Sequence, residues 1–160
     1  MTIDQFFEYM EAKAIQSPDI PHDPENKKVA FHSIDDPFDL AEFDNAIRNT
    51  AAFPAMLAEQ GEGSIDDNES VNYTNTIEGA FLIVDERKGK EPIRTVRSRC
   101  FSIGKTILEQ IRKDRNSREI IAGRFIDFRI NGVQYSPVGP MYTKYYGYVF
   151  TIRFVCPFSF

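Results

Sequence analysis

The chain has no tryptophan, only two cysteines and two histidines, and nine glycines in 160 residues. Each scarcity removes a class of function. Cys100 and Cys156 lie far apart with no CxxC spacing. They encode neither a disulfide framework nor a thiolate metal knot, and read as small buried hydrophobes of a reducing compartment. His22 and His32 belong to no HExxH or Cys/His pattern, whereas a dedicated metal site needs several ligands at defined spacing. No GxxxxGK[ST] loop occurs, and Gly61-Glu62-Gly63 precedes no helix start, which excludes a phosphate cradle of that kind. The longest apolar run, Ala80-Phe81-Leu82-Ile83-Val84, falls far short of the roughly 20 residues that cross a bilayer. The opening Met-Thr-Ile-Asp-Gln lacks the basic and apolar regions of a secretory signal. A cytosolic product with no membrane segment, metal or cofactor is therefore expected.

Catalysis is not signalled either. Ser-His-Asp sets assemble in space rather than in order, but no serine lies in a GxSxG elbow, and both cysteines fall on faces expected to be buried. The acidic run Asp66-Asp67-Asn68-Glu69 lacks the Asp-x-Asp-x-Asp-Gly spacing and closing glutamate of a calcium loop, so it reads as a solvated loop. Several arginines share one helix, yet exposed aromatics are not interleaved with them, and the pI of about 5.1 is acidic. Dedicated nucleic-acid modules are usually basic. The expectation is a protein that is not an enzyme.

What the chain does have is phenylalanine and tyrosine, fourteen and seven respectively. Rings this dense point to a sheet-and-helix core, some of them to an interface, and 160 residues suffice for one domain with a sizeable core. The net charge of −5 conceals a division. Residues 1–90 hold 19 acidic and 7 basic side chains, a balance of −12; residues 91–160 hold 5 and 12, a balance of +7. Either the two halves neutralise each other within one fold, or surfaces of opposite sign meet between copies.

Hydrophobic spacing orders the elements. Ile3, Phe6, Phe7, Met10 and Ala14 recur at helical period, with Thr2 or Asp4 near the start and Ser17-Pro18 beyond the end. Pro18, Pro21 and Pro24 impose an extended connection, and residues 28–32 fit a short edge strand. Asp36 as N-cap and Pro37 at the first helical position open a second helix to about Arg48. Ala52 to Leu57 contains Pro54 and reads as an edge strand or strand entry. Residues 61–75 are acidic and aperiodic, which predicts a mobile loop. Thr76 to Asp85 reads as a central strand buried on both faces. Ile93, Val96, Cys100, Ile103, Ile107 and Ile111 mark a long helix to about Arg112, with Arg112 and Lys113 favourably placed against its dipole. Ile126, Phe128 and Ile130 alternate, Asn131-Gly132 suits a hairpin turn returning through Val133-Gln134-Tyr135, and Pro137 to Pro140 breaks the ribbon. Tyr146 to Cys156 reads as a long final strand. The expected class is α+β: a mostly antiparallel sheet of about four to six strands against a long helix, plus an N-terminal amphipathic helix, in one domain over 1–160.

The order of these elements resembles phage tail-completion (tail-terminator) and head–tail connector proteins. The features that carry the resemblance are the helix from Ile3 to Met10, the strand opening Phe53-Pro54-Ala55-Met56-Leu57 and the central strand Gly79 to Asp85. To these are added Ile107-Leu108-x-x-Ile111 in the long helix and the entry Tyr146-Gly147-Tyr148 to the last strand. The segment between Pro18 and Arg48 departs from that pattern. The resemblance implies a non-enzymatic structural subunit of the virion, assembled in host cytoplasm into a homo-oligomeric, typically hexameric ring beside other tail or neck proteins. In such a ring the basic helix end, Arg112, Lys113, Arg115 and Arg118, would meet Asp66, Asp67 and Glu69 of the next copy. A different class remains open: a small-molecule or peptide-binding module whose mouth is lined by Tyr142, Tyr145, Tyr146 and Tyr148. A hydrolase with a spatially assembled site is the third reading.

Overall fold

The computed structural model describes residues 1–35, 40–67 and 73–158. Helix α1 (Ile3–Gln16) starts on a capping box. The Thr2 hydroxyl accepts the Gln5 N–H, and the Gln5 side chain accepts the Thr2 N–H, so two otherwise orphaned donors are satisfied. Of the expected apolar stripe, Phe6, Met10 and Ala14 are buried, Phe7 is half-buried and Ile3 is exposed, while Tyr9 and Lys13 join the buried face. Strand β1 (Phe31–Ile34) is short and lies at an edge; helix α2 (Leu40–Asn49) follows. The N-cap expected at Asp36 and Pro37 lies outside the described residues.

Strands β2 (Ala55–Asp67), β3 (Tyr73–Glu86), β4 (Asp127–Phe128), β5 (Gln134–Met141) and β6 (Tyr145–Phe158) complete a six-stranded sheet with β1. The order is β1-β2-β3-β6, and the outer side of β6 is shared by β4 and β5. Only β1 and β2 run parallel. The fold class is thus the α+β arrangement read from the sequence, with β3 central and buried on both faces from Ala80 to Asp85.

Helix α3 (Ile93–Ser117) lies on the face of the sheet that carries Phe81 and Phe150, and its buried stripe is the one expected, Val96 to Ile111. It runs five residues past the expected end at Arg112. The extra turn is held by polar groups, which apolar periodicity does not register. Asp114 accepts the Tyr9 hydroxyl at 2.7 Å and the Lys13 ammonium at 2.5 Å. Arg115 donates to Asp127 through Nε and Nη2 at 3.1 and 2.9 Å. Arg118, in the left-handed region at φ 60°, then ends the helix by donating its N–H to the Asp114 carbonyl.

Three local expectations are corrected. Residues 61–67 and 73–75 are strand, not a loop: Gly61 and Glu62 fall in a break of register after Gln60, and pairing runs from Gly63↔Ile77 to Asp67↔Tyr73. Residues 61–66 are exposed throughout, so no alternation of buried and exposed side chains betrays the strand; the ladder to β3 holds it. Asn131-Gly132 turns no hairpin. It lies in a 3-10 turn (Ile130–Gly132), and β4 and β5 each pair with β6 instead of with one another. The turn with positive φ at both central residues is Tyr142-Thr143, closed by Lys144 N–H to the Met141 carbonyl. Its residues carry no glycine or asparagine signal. Finally, the ribbon is interrupted but not ended by residues 137–140: Pro137 stays in the β5–β6 ladder opposite Tyr148, the register shifts between Val138 and Met141 across Gly139-Pro140, and pairing resumes at Met141↔Tyr145, as an edge strand allows.

The helix layer is fitted to the aromatic core by two glycines. The Phe81 and Phe150 rings stack at 5.0 Å, and a Cβ on Gly104 of α3 would collide with the Phe150 ring. A Cβ on Gly79 would likewise collide with Phe6 of α1. Replacing glycine by alanine inside a helix ordinarily gains about 1 kcal/mol. Here Gly104→Ala is expected to lose about 2 kcal/mol through overpacking, lowering Tm by roughly 4–8 °C in a thermal melt. The Lys13–Asp114 pair makes a second demand, because Lys13 is only 4% exposed. Asp114→Ala strands its charge and is expected to cost about 3 kcal/mol in urea unfolding, while Lys13→Met with Asp114→Leu recovers most of that loss.

Candidate functional site

The residues expected to meet between copies occupy two flanks of the sheet. Asp66 is exposed on β2 opposite Thr74, and Asp67 pairs with Tyr73; Glu69 lies outside the described residues. β1 covers β2 only from Met56 to Glu59, so beyond that the outer edge of β2 is without a strand partner among the described residues. On the other flank, Arg112, Lys113 and Arg118 are exposed and have no ion-pair partner among the described residues. Arg115 is already engaged by Asp127, which Arg129 also contacts at 2.9 Å. Burial pushes the Asp127 carboxyl up, but hydrogen bonds and charge from Arg129 and Arg115 outweigh it and hold it below the usual range.

The two flanks stand at one level. Ser64, Thr76, Val155 and Asp127 form a single row across four strands, roughly 14 Å wide at ordinary strand spacing. Each flank also exposes an apolar side chain: Ile65 on β2, 55% exposed, and Phe125 just before β4, 48% exposed. Part of the charge division is neutralised within the chain. Arg99, Lys144 and Arg153 pair with Asp85, Glu86 and Glu78 of the acidic half.

The four tyrosines do not converge. Tyr146 is buried, Tyr145 stacks on Phe53 at 4.7 Å, and Tyr142 is exposed beneath the Arg48 guanidinium. Tyr148 lines a shallow cleft with Tyr135, Phe101, Arg94 and Arg97. Arg97 is fixed there by the Val138 and Gly139 carbonyls. Phe101 belongs to α3, but Tyr135 and Tyr148 come from β5 and β6, so no inspection of the helix sequence could have placed those two beside its arginines.

A second concavity, about 210 Å³, lies between the sheet and α2. Ile34, Leu57, Ala80, Leu82 and Val149 form its floor, with Phe43 from α2 and Val138 and Met141 from β5 around them. Among the described residues its one ionisable group is Glu59, whose carboxyl is pushed above the usual glutamate range by burial. The sequence signal was available but weak: Glu59 follows Leu57 by two, the spacing of one strand face.

The reactive side chains have structural partners. His22 accepts the Ala30 N–H through Nδ1 and faces Glu11 through Nε2, and His32 contacts the Thr50 hydroxyl. Burial first, then the Asp85 charge, pushes the Cys100 thiol up to about 12; burial also raises Cys156. Among the described residues no His, Cys, Asp or Glu cluster could hold a metal, and no helix is long and apolar enough to cross a membrane. No protein-family model and no curated protein matches the chain.

A carboxyl raised by burial binds its proton more tightly in the folded state. Stability therefore falls as pH rises from 4.5 through the raised value, and the penalty is complete above it. Glu59→Gln is expected to raise Tm at pH 7.5 by about 1–2 °C, solvent screening keeping the effect small. The gain should vanish at pH 4; an equal gain at both pH values would mean that charge is not its source.

Proposed function

We propose that the chain is a non-enzymatic assembly subunit whose copies join side by side into a closed ring, as its resemblance to phage tail-completion and head–tail connector proteins implies. The observation that carries this reading is the matching height of the two flanks. Rotation about a ring axis keeps every point at its own height, so a heterologous contact closes most simply when its two surfaces lie at one level on opposite sides. The free acidic edge at Ser64 and the Asp127 end of the row, to which Arg115 of α3 is bonded, meet that condition. Two acidic edges repel one another, which disfavours an isologous dimer through β2 and leaves the heterologous contact. Charge pairs at such a surface contribute only about 0–1 kcal/mol each, so they set orientation and partner choice while apolar contact supplies affinity. A hexamer beside other tail or neck proteins in the virion is the assembly that the resemblance suggests.

Light scattering on a size-exclusion column, at low and high salt, tests this. A discrete oligomer that dissociates on Ile65→Asp or Phe125→Asp is expected. Asp66→Lys with Asp67→Lys should weaken it at low salt and remove most of its salt dependence. A chain that remains monomeric at every concentration and salt would overturn self-assembly. The small-molecule reading has its own supporting observation, the apolar cavity containing Glu59, and does not depend on the ring.

A further inference from the structure

We infer that the cavity beneath α2 is a binding site for a small ammonium ion carrying an apolar group, with Glu59 as the anion that receives it. The chemistry of the lining specifies the ligand. Leu57, Leu82, Val138, Met141 and Val149 offer only apolar contact, and among the described residues Glu59 supplies the one charge. Burying a carboxylate against such a surface is costly unless a cation or hydrogen-bond donors compensate it, and within the described chain no ion pair does so. The other carboxylates set into the fold are compensated: Asp114 by Lys13, Asp85 by Arg99 and Asp127 by Arg115. Among the described carboxylates Glu59 alone has an apolar cavity beside it and no cation. It is half-buried, so its carboxylate stands where the cavity meets solvent. An ammonium there can keep part of its hydration while its apolar group enters.

Size narrows the class. A cavity of about 150 Å³ lined by aliphatic side chains accommodates benzene, and this one is about 210 Å³. One ring or a short branched chain fits, with a linker of one or two carbons to the nitrogen. A larger amphiphile does not. Ala80 on the floor provides the room, since a longer side chain at that position projects into the same space.

The full-length chain, methyl-labelled, is titrated with benzylammonium chloride at pH 7.5, with benzyl alcohol as the neutral counterpart. Saturable shifts are expected at the Leu57, Leu82, Val138, Val149 and Met141 methyls, with benzylammonium favoured by about tenfold, the worth of one charge-assisted hydrogen bond. Glu59→Gln should erase the preference yet still admit benzyl alcohol, which reports that the cavity is intact. Ala80→Leu, which keeps the carboxylate, should abolish binding of both. Shifts confined to surface residues, or an unchanged benzylammonium preference in Glu59→Gln, would overturn the assignment. Light scattering on the same samples keeps this outcome separate from that for the ring.

Discussion

The pairing of β3 with β6 is the constraint on which the rest of the molecule depends. It runs without a bulge from Tyr73↔Phe158 to Glu86↔Tyr145, and it fixes which side chains share a face. Phe81 then falls opposite Phe150, and Ile77 opposite Phe154. Those rings form the surface on which both long helices settle, with Phe6 and Tyr9 edge-on to Phe154 and Gly104 against Phe150. Because side chains alternate along a strand, a slip of one residue would turn this aromatic layer to the opposite face. The two glycines make the register selective as well as possible, since each accepts a ring only at its own position.

The same pairing determines where the sheet stops. On one side β6 is covered by β4 and β5, and Pro137 and Pro140 make the outer edge of β5 a poor template for another strand. On the other side β3 carries β2 well beyond the end of β1, leaving residues 61–67 as the long free edge among the described strands. Glu62 and Asp66, both exposed, guard that edge by charge instead of by proline. A proline would forbid all pairing, whereas negative charge forbids only a like partner. An edge protected in this way remains open to a basic surface, and charge protection fits a chain that must avoid one association while permitting another.

How much of this could be read beforehand depended on whether apolar side chains or backbone and polar groups shaped the element. The three helices, β3 and the long final strand were legible because their apolar residues keep a period of 3.6, an unbroken run or, in the final strand, a period of two. The outer half of β2 was not, since both of its faces meet solvent and only backbone bonds to β3 hold it. The last turn of α3 was hidden for a related reason: Asp114 and Arg115 stabilise it through Tyr9, Lys13 and Asp127, partners distant in sequence. At the candidate site, the acidic and basic clusters could be read from charge alone, but their common level on opposite flanks could not. That relation exists only once Ser64, Thr76, Val155 and Asp127 stand in one row.

Asp114 and Glu59 show how one fold treats two sheltered carboxylates differently. Asp114 accepts from Tyr9 and Lys13, and these bonds tie α1 to α3. Its charge is part of what holds the helix layer together, and removing it should weaken the fold. Glu59 ties no two described elements together: it sits among Ile34, Leu57, Ala80 and Leu82, and burial raises its carboxyl above the usual range. A side chain that lowers stability and joins no element gains nothing for folding, and glutamine would fill the same space without the charge. Fold stability therefore accounts for Asp114 and leaves Glu59 unaccounted for, and that difference, more than the cavity's shape, separates a binding group from a packing defect.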